Sequence, residues 1–301
     1  FQGAVSVNGD SLSVTITDNV VVESNLTVGI SVDNTFDLND IDGSDLTIGG
    51  SAVIRNNGSR GVFVGTGWNL TATDDVQILD NGGGIYVWPL TVALPRTVVM
   101  SGNLVVQGNV SEAGGGLLLE TYGAGPGEYR FAATITDNVR IIGNAATTGN
   151  GGGILNHEAN LRIDGNALIA SNTATGTGGG VYHRAWDTPD QLVITGSSVI
   201  RDNIAWLGGG VGIAGCGGVI NGSARITGNT SGELGGGLFL DDDQGFPASL
   251  VTEPGSLITW NTARGGAGGG VYSADSQTTH TIAPGTIRDN DPDNCDGYVS
   301  C

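Results

Sequence analysis

Short runs of Val, Ile, Leu, Thr and Tyr, three to five residues long, recur along the chain between Gly, Asn and Asp. Within each run apolar and polar positions alternate with a period of two, which predicts strands with one face turned inward. Residues 178–203 show the unit: GGGVYH, a polar excursion, LVIT, Gly196 and then SVIRDN. No stretch carries a helical period long enough to bury a helix, so βαβ layouts are excluded, and with them a dinucleotide-binding reading of any Gly cluster.

The runs belong to an internal repeat. GGG followed by Ile, Leu or Val occurs seven times, starting at Gly82, Gly114, Gly151, Gly178, Gly208, Gly235 and Gly268, with starts 27 to 37 residues apart. A second motif, aliphatic-x-x-Asn, ends at Asn57, Asn81, Asn109, Asn144, Asn172, Asn203, Asn229, Asn261 and Asn290, with Ile16–Asn19 read as its first copy. A unit of about 30 residues that cannot bury a face alone must stack on its neighbours. The prediction is an all-β chain, a single right-handed parallel β-helix (β-solenoid) of about ten coils with about three strands per coil. One domain fills 1–301, with 1–20 as the N-terminal end and 285–301 as the C-terminal end. The corner Asn is expected to take left-handed backbone and to hydrogen-bond the Asn of the next coil, forming a structural ladder. The Gly runs are expected at close backbone approaches, with Ile85, Leu117, Ile154, Val181, Val211, Leu238 and Val271 stacked inside.

The pair GGG-[ILV] and [IV]-x-x-Asn resembles the GGA-[ILV] and FxxN repeats of chlamydial polymorphic outer-membrane proteins. It is similar too to bacterial secreted right-handed parallel β-helix repeat proteins of the pectin-lyase-like superfamily. The resemblance covers roughly residues 10–290, with GGG in place of GGA and Ile in place of Phe. It implies the fold, and a superfamily that contains many polysaccharide lyases and hydrolases. Galacturonan hydrolases of this fold use Asp pairs with Gly-His-Gly and Arg-x-Lys elements, which this sequence lacks.

Composition narrows the chemistry. The chain has 54 Gly, 30 acidic and 11 basic residues, all of the latter Arg, and a net charge of −19. Without Lys, Schiff-base, P-loop and Lys-dependent kinase chemistries are excluded. Nucleic acid is not an expected partner, because no basic footprint exists. No apolar run reaches the length of a membrane span, so membrane insertion is not expected. Any secretion signal is expected to precede Phe1 or to lie outside the sequence. Cys295 and Cys301 are close enough to form a disulfide staple, leaving Cys216 unpaired or intermolecular, with three free thiols as the alternative.

Aligning the coils on GGG puts Glu120, His157 and Arg184 at the fourth position of three successive coils, with Asp241 further on and Glu158, His183 and Asp187 beside them. A carboxylate, an imidazole and a guanidinium on one ridge are the candidate base, acid and anion stabiliser of an enzyme acting on an acidic glycan. A solvent-facing polar strand end is the competing reading, and Trp88, Ala214 and Ala274 share the column. No cofactor is required; Ca²⁺ is the candidate ion, at Asp37, Asp40, Asp42 and Asp45 or at Asp289, Asp291, Asp293 and Asp296. Solvated turn carboxylates are the alternative. Tyr86, Leu118, Leu155, Tyr182, Phe239 and Tyr272 should point outward, to be covered by a loop, to stack sugars or to meet another subunit. Asn25, Asn69 and Asn221 are candidate glycosylation acceptors.

These observations favour a non-enzymatic extracellular β-solenoid, secreted or at the cell surface, structural or adhesive. Its expected partners are itself head-to-tail, other surface proteins or glycans. The alternative is a polysaccharide lyase or hydrolase using Glu120, His157 and Arg184.

Overall fold

Strands of two to six residues follow each other around a coil, and each pairs in parallel with its counterpart one coil on. The computed structural model describes residues 3–9, 11–34, 43–88, 96–120, 132–185 and 191–301. Three long sheets form the walls of a β-solenoid. The first runs from Gly3–Asn8 to Cys295–Gly297 with eleven strands, the second from Ser13–Ile16 to Thr279–Ile282 with ten, and the third from Val21–Glu23 to Ile287–Arg288 with ten. A fourth sheet of six two-residue strands, from Val110–Ser111 to Thr262–Ala263, lies at the corner after the third. Its strands, such as Thr173–Ala174, are too short to show a period, so the sequence predicts three walls. No helix occurs among the described residues.

The lumen is filled by stacked aliphatic columns. Leu117, Ile154, Val181, Val211, Leu238 and Val271 face inward from the first sheet in register, each fully buried, as the GGG alignment predicts. Ile141, Ile169, Ile200, Ile226 and Ile258 do the same from the third.

Behind that third column runs the Asn ladder. Asn144 illustrates one rung: its backbone N–H donates to Asn172 Oδ1 at 2.9 Å, and its Nδ2 donates to the same oxygen at 3.0 Å and to the Val106 carbonyl at 3.0 Å. The same set joins Asn57, Asn81, Asn109, Asn144, Asn172, Asn203, Asn229, Asn261 and Asn290. Both donors and both acceptor positions of an interior rung are used, which lets the amides sit inside the protein without an unpaired polar group.

Two sequence expectations about this corner are corrected. The ladder Asn is not left-handed; the residue before it is, as at Asn56 (φ 54°), Asp80 (φ 53°), Ser171 (φ 55°), Asp202 (φ 56°) and Trp260 (φ 58°). Asn is selected here for its amide, and the strain falls on its neighbour. The first rung is Asn25, not Asn19: Asn25 Nδ2 donates to Asn57 Oδ1 at 2.6 Å, completing the motif Val22-x-x-Asn25. Ile16–Asn19 lies at the end of the second sheet, where Asn19 is exposed. That corner carries its own exposed chain of amides, with Asn166 donating to Asn138, Asn138 to Asn103 and Asn103 to Asp75.

The glycine run fits against the ladder. A methyl group on Gly153 would stand 2.6 Å from the Gly180 carbonyl oxygen and 2.9 Å from Asn172 Nδ2. The two motifs are therefore two sides of one contact.

The ends differ. Cys295 and Cys301 form a disulfide with Cα atoms 6.0 Å apart, and Val299 between them enters the core at 5% exposure. At the other end Leu12, Val20, Val21 and Leu26 are exposed.

Candidate functional site

The parallel register brings the predicted trio together. Strands Leu117–Glu120, Ile154–His157, Val181–Arg184, Val211–Ala214 and Leu238–Asp241 stack so that Glu120, His157, Arg184, Ala214 and Asp241 lie in one column. The side chains are only half-exposed: 15% for Glu120, 26% for His157 and 28% for Arg184. The expectation of a freely solvated strand end is corrected, because neighbouring side chains lean over the column.

Two separate polar groups result. Glu120 Oε1 lies 3.8 Å from His157 Nδ1, while its Oε2 accepts the Tyr86 hydroxyl at 2.7 Å. The Arg60 guanidinium stands 5.1 Å over the Tyr86 ring, and the His157 ring meets Tyr182 edge-on at 6.4 Å. Arg184 forks onto Asp243, with Nη2 donating to Oδ1 at 3.0 Å and Nε to Oδ2. Asp241, which the sequence places in the same patch, is not the carboxylate that Arg184 takes.

Burial pulls the His157 imidazole below its ordinary pKa, against the opposing field of Glu120. Hydrogen bonding to Asp243 holds the Arg184 guanidinium above its usual value. Burial raises the Asp241 carboxyl and pushes the Tyr182 hydroxyl up to about 12. A neutral imidazole beside a carboxylate is chemically able to exchange a proton, while the second carboxylate oxygen is held by Tyr86 and the guanidinium by Asp243.

Of the residues expected to flank the trio, His183 points the other way. It lies in the lumen, fully buried, with Nδ1 2.5 Å from Asn156 Nδ2 and its pKa lowered to about 3 by burial. Glu158 is buried at 7% exposure, and Asp187 lies outside the described residues. Cys216 is free and buried, its thiol pushed up to about 12, and it donates to the Ala214 carbonyl at 3.3 Å. It is not placed for an intermolecular bond.

The outward row of the first sheet is Phe63, Tyr86, Leu118, Leu155, Tyr182, Gly212, Phe239 and Tyr272 in register. It is not an open platform. Leu118, Leu155 and Phe239 are exposed by 6% or less, and a methyl on Gly114 would stand 2.8 Å from Leu118 Cβ. The corner leading into each GGG therefore covers the row. At Gly212 the place in the row is filled by Thr177 and Tyr182, within 2.4 and 2.9 Å of where a Cβ would stand, while an opening of about 230 Å³ lies over Ala214 beside Tyr182, Arg184, Phe239 and Asp241. Sequence reasoning passed over this opening, whose one legible signal is Ala214 in a column that holds Glu120, His157, Arg184 and Asp241 in other coils.

The acidic segments engage backbone and side-chain partners of the chain. Asp293 Oδ1 accepts the Gly269 N–H at 3.0 Å, Asp296 Oδ1 accepts the Gly297 N–H at 2.6 Å, and Asp289 lies 3.8 Å from Arg288. Asp45 accepts from Asn69 Nδ2 at 2.9 Å, while Asp37, Asp40 and Asp42 lie outside the described residues. Among the described residues no three His, Cys, Asp or Glu side chains gather as a metal site. Of the glycosylation candidates, Asn25 is committed to the ladder, Asn69 to Asp45 and the Thr97 N–H, and Asn221 is half-buried.

Compared with models of known families, with curated proteins and with solved structures, the chain matches none.

Proposed function

We propose that this protein is a non-enzymatic β-solenoid scaffold, structural or adhesive, working outside the cell. The observation that carries this reading is the Asn ladder, which ties every coil from Asn25 to Asn290 to the next by buried hydrogen bonds. Such a continuous device invests the sequence in rigidity along the whole rod, where an enzyme concentrates its unusual residues at one site. The Glu120–His157 and Arg184–Asp243 pairs support it as well, since each charged group is matched to a neighbour. The Cys295–Cys301 disulfide fits an oxidising compartment.

The N-terminal coil offers exposed Val21 and Leu26 and an Asn25 Oδ1 that accepts no hydrogen bond from the described residues, a template that a further coil would complete. Head-to-tail contact with another copy is one source of that coil.

The test is turnover. Incubation with uronate polymers and other acidic glycans is expected to release neither new reducing ends nor unsaturated products. Product formation lost in both His157→Ala and Arg184→Ala would replace this reading with the lyase or hydrolase.

A further inference from the structure

The two ends of the rod are complementary, and one of them is blocked. The Asn ladder has a direction, because each rung donates its N–H and Nδ2 to the Oδ1 of the next Asn along the chain. One end therefore presents an acceptor, Asn25 Oδ1, and the other presents the two donors of Asn290. Those donors are taken within the chain. Asn290 N–H and Nδ2 reach Asn294 Oδ1 at 3.2 and 3.1 Å, a partner four residues on, whereas the other rungs join residues 24 to 35 apart. Asn294 stands in for a further rung.

Residues 291–301 obstruct the strands as well. Cys295–Gly297 pairs with Val271–Ser273 as the eleventh strand of the first sheet, while the second and third sheets have ten. A second copy laid on this end would meet a step one strand spacing high, about 4.8 Å, and its second and third sheets would fall short. Without Cys295–Gly297 the step is gone. The column register then sets Val5 of the incoming copy over Val271, Ile16 over Ile282 and Val22 over Ile287, with its Asn25 Oδ1 at the Asn290 donors. Charge matches too. Glu23 would stand over Arg288, in the column where it pairs with Arg55 of its own chain at 2.6 Å.

We infer that Val271–Ser273, Thr279–Ile282, Ile287–Arg288 and Asn290 form a docking surface for the N-terminal coil of a second copy, and that residues 291–301 are a plug that withholds it. This rests on the head-to-tail contact of the scaffold reading and adds the condition under which that contact forms. The Cys295–Cys301 disulfide bends the plug so that Val299 enters the core. A dithiol reductant exchanges with this bond, leaving two Cys thiols and the cyclic disulfide of the reductant, and the bend is no longer fixed.

The experiment is sedimentation velocity with negative-stain imaging of the whole chain, oxidised and in dithiothreitol, with circular dichroism to show that each sample is folded. The oxidised protein is expected to sediment as a single chain. The reduced protein is expected to form unbranched rods that lengthen in steps of about 48 Å, ten strand spacings per copy. Asn294→Ala/Val299→Asp removes the stand-in rung and the core anchor, and should form the same rods without reductant. Asn25→Leu keeps the docking surface but lacks the acceptor, so when reduced it should stay single, and mixed with reduced wild type it should shorten the rods. Rods in the oxidised wild type, single chains from both opened proteins, or full-length rods from Asn25→Leu would overturn the inference. Glycan turnover bears only on the scaffold reading, so the two fail separately.

Discussion

Gly153 lies against Asn172: a single added carbon on Gly153 would reach within 2.9 Å of the Asn172 side-chain nitrogen. One strand of glycine backbone thus makes room for the amide that ties the next two coils. Gly153→Ala is expected to cost about 2 kcal/mol or more, because the Gly180 carbonyl must move as well. Gly143 is the control. It is left-handed (φ 62°) with nothing near its absent Cβ, and Asn56 and Asp80 hold the equivalent place, so Gly143→Asn should change stability by less than about 1 kcal/mol. Guanidinium unfolding midpoints check both.

Removing a rung should cost more inside the rod than at its end. Asn172→Leu strands the Asn144 N–H, one Asn144 side-chain proton and the Ile141 carbonyl, all buried. A loss of about 3 kcal/mol or more is expected. Asn25 ends the ladder half-exposed, and after Asn25→Leu the Asn57 Oδ1 still accepts the residue-25 backbone N–H, so that change should cost about 1 kcal/mol. Equal losses at both positions would show that the ladder is not what makes the interior rungs valuable.

Acid should act through His183. Its folded pKa is about 3 against an ordinary 6.5, so the unfolded chain binds the proton first. The neutral-His contribution is complete above pH 6.5 and is lost as pH falls toward 3, at up to about 1.4 kcal/mol per pH unit. Ile213 and Leu240 occupy the next two places in the same lumen column. His183→Leu should therefore fold and should unfold at a lower pH than the wild type. Matching acid titrations of the two proteins would contradict this.

Trp260 carries the left-handed backbone of its column while 68% exposed. Trp260→Gly should leave stability unchanged or raise it by up to about 1 kcal/mol, since left-handed backbone is costly for a bulky residue. Trp68 is buried and donates to Asn34 Oδ1 at 3.2 Å, so Trp68→Ala should cost about 3–5 kcal/mol. Thermal unfolding of the pair distinguishes a Trp kept for packing from one that packing does not need.

The solenoid, its repeat length, the inward aliphatic columns and the ladder from Asn57 to Asn290 were legible because each is a repeated residue type. Errors arose where the repeat is carried by conformation instead. Ile16–Asn19 and Val22–Asn25 fit the same letters, and only pairing shows which Asn faces Asn57. The left-handed residue before each rung is Asn, Asp, Ser, Gly or Trp, so no letter marks it. His183 read as part of the ridge because it adjoins Arg184, yet alternation sends it into the lumen. Gly212 in the outward row carries no mark in a chain crowded with Gly, and only packing shows that Thr177 and Tyr182 fill its place.

Backbone hydrogen exchange across the ladder tests the central claim most directly, that buried amides hold the coils as one rod. The N–H groups of Asn81, Asn109, Asn144, Asn172, Asn203 and Asn229 each donate to the next Asn Oδ1 and should exchange together, only through global unfolding. Rapid, independent exchange at Asn144 or Asn172 in the intact protein would show that the ladder does not unite the coils, and the scaffold reading would lose its basis.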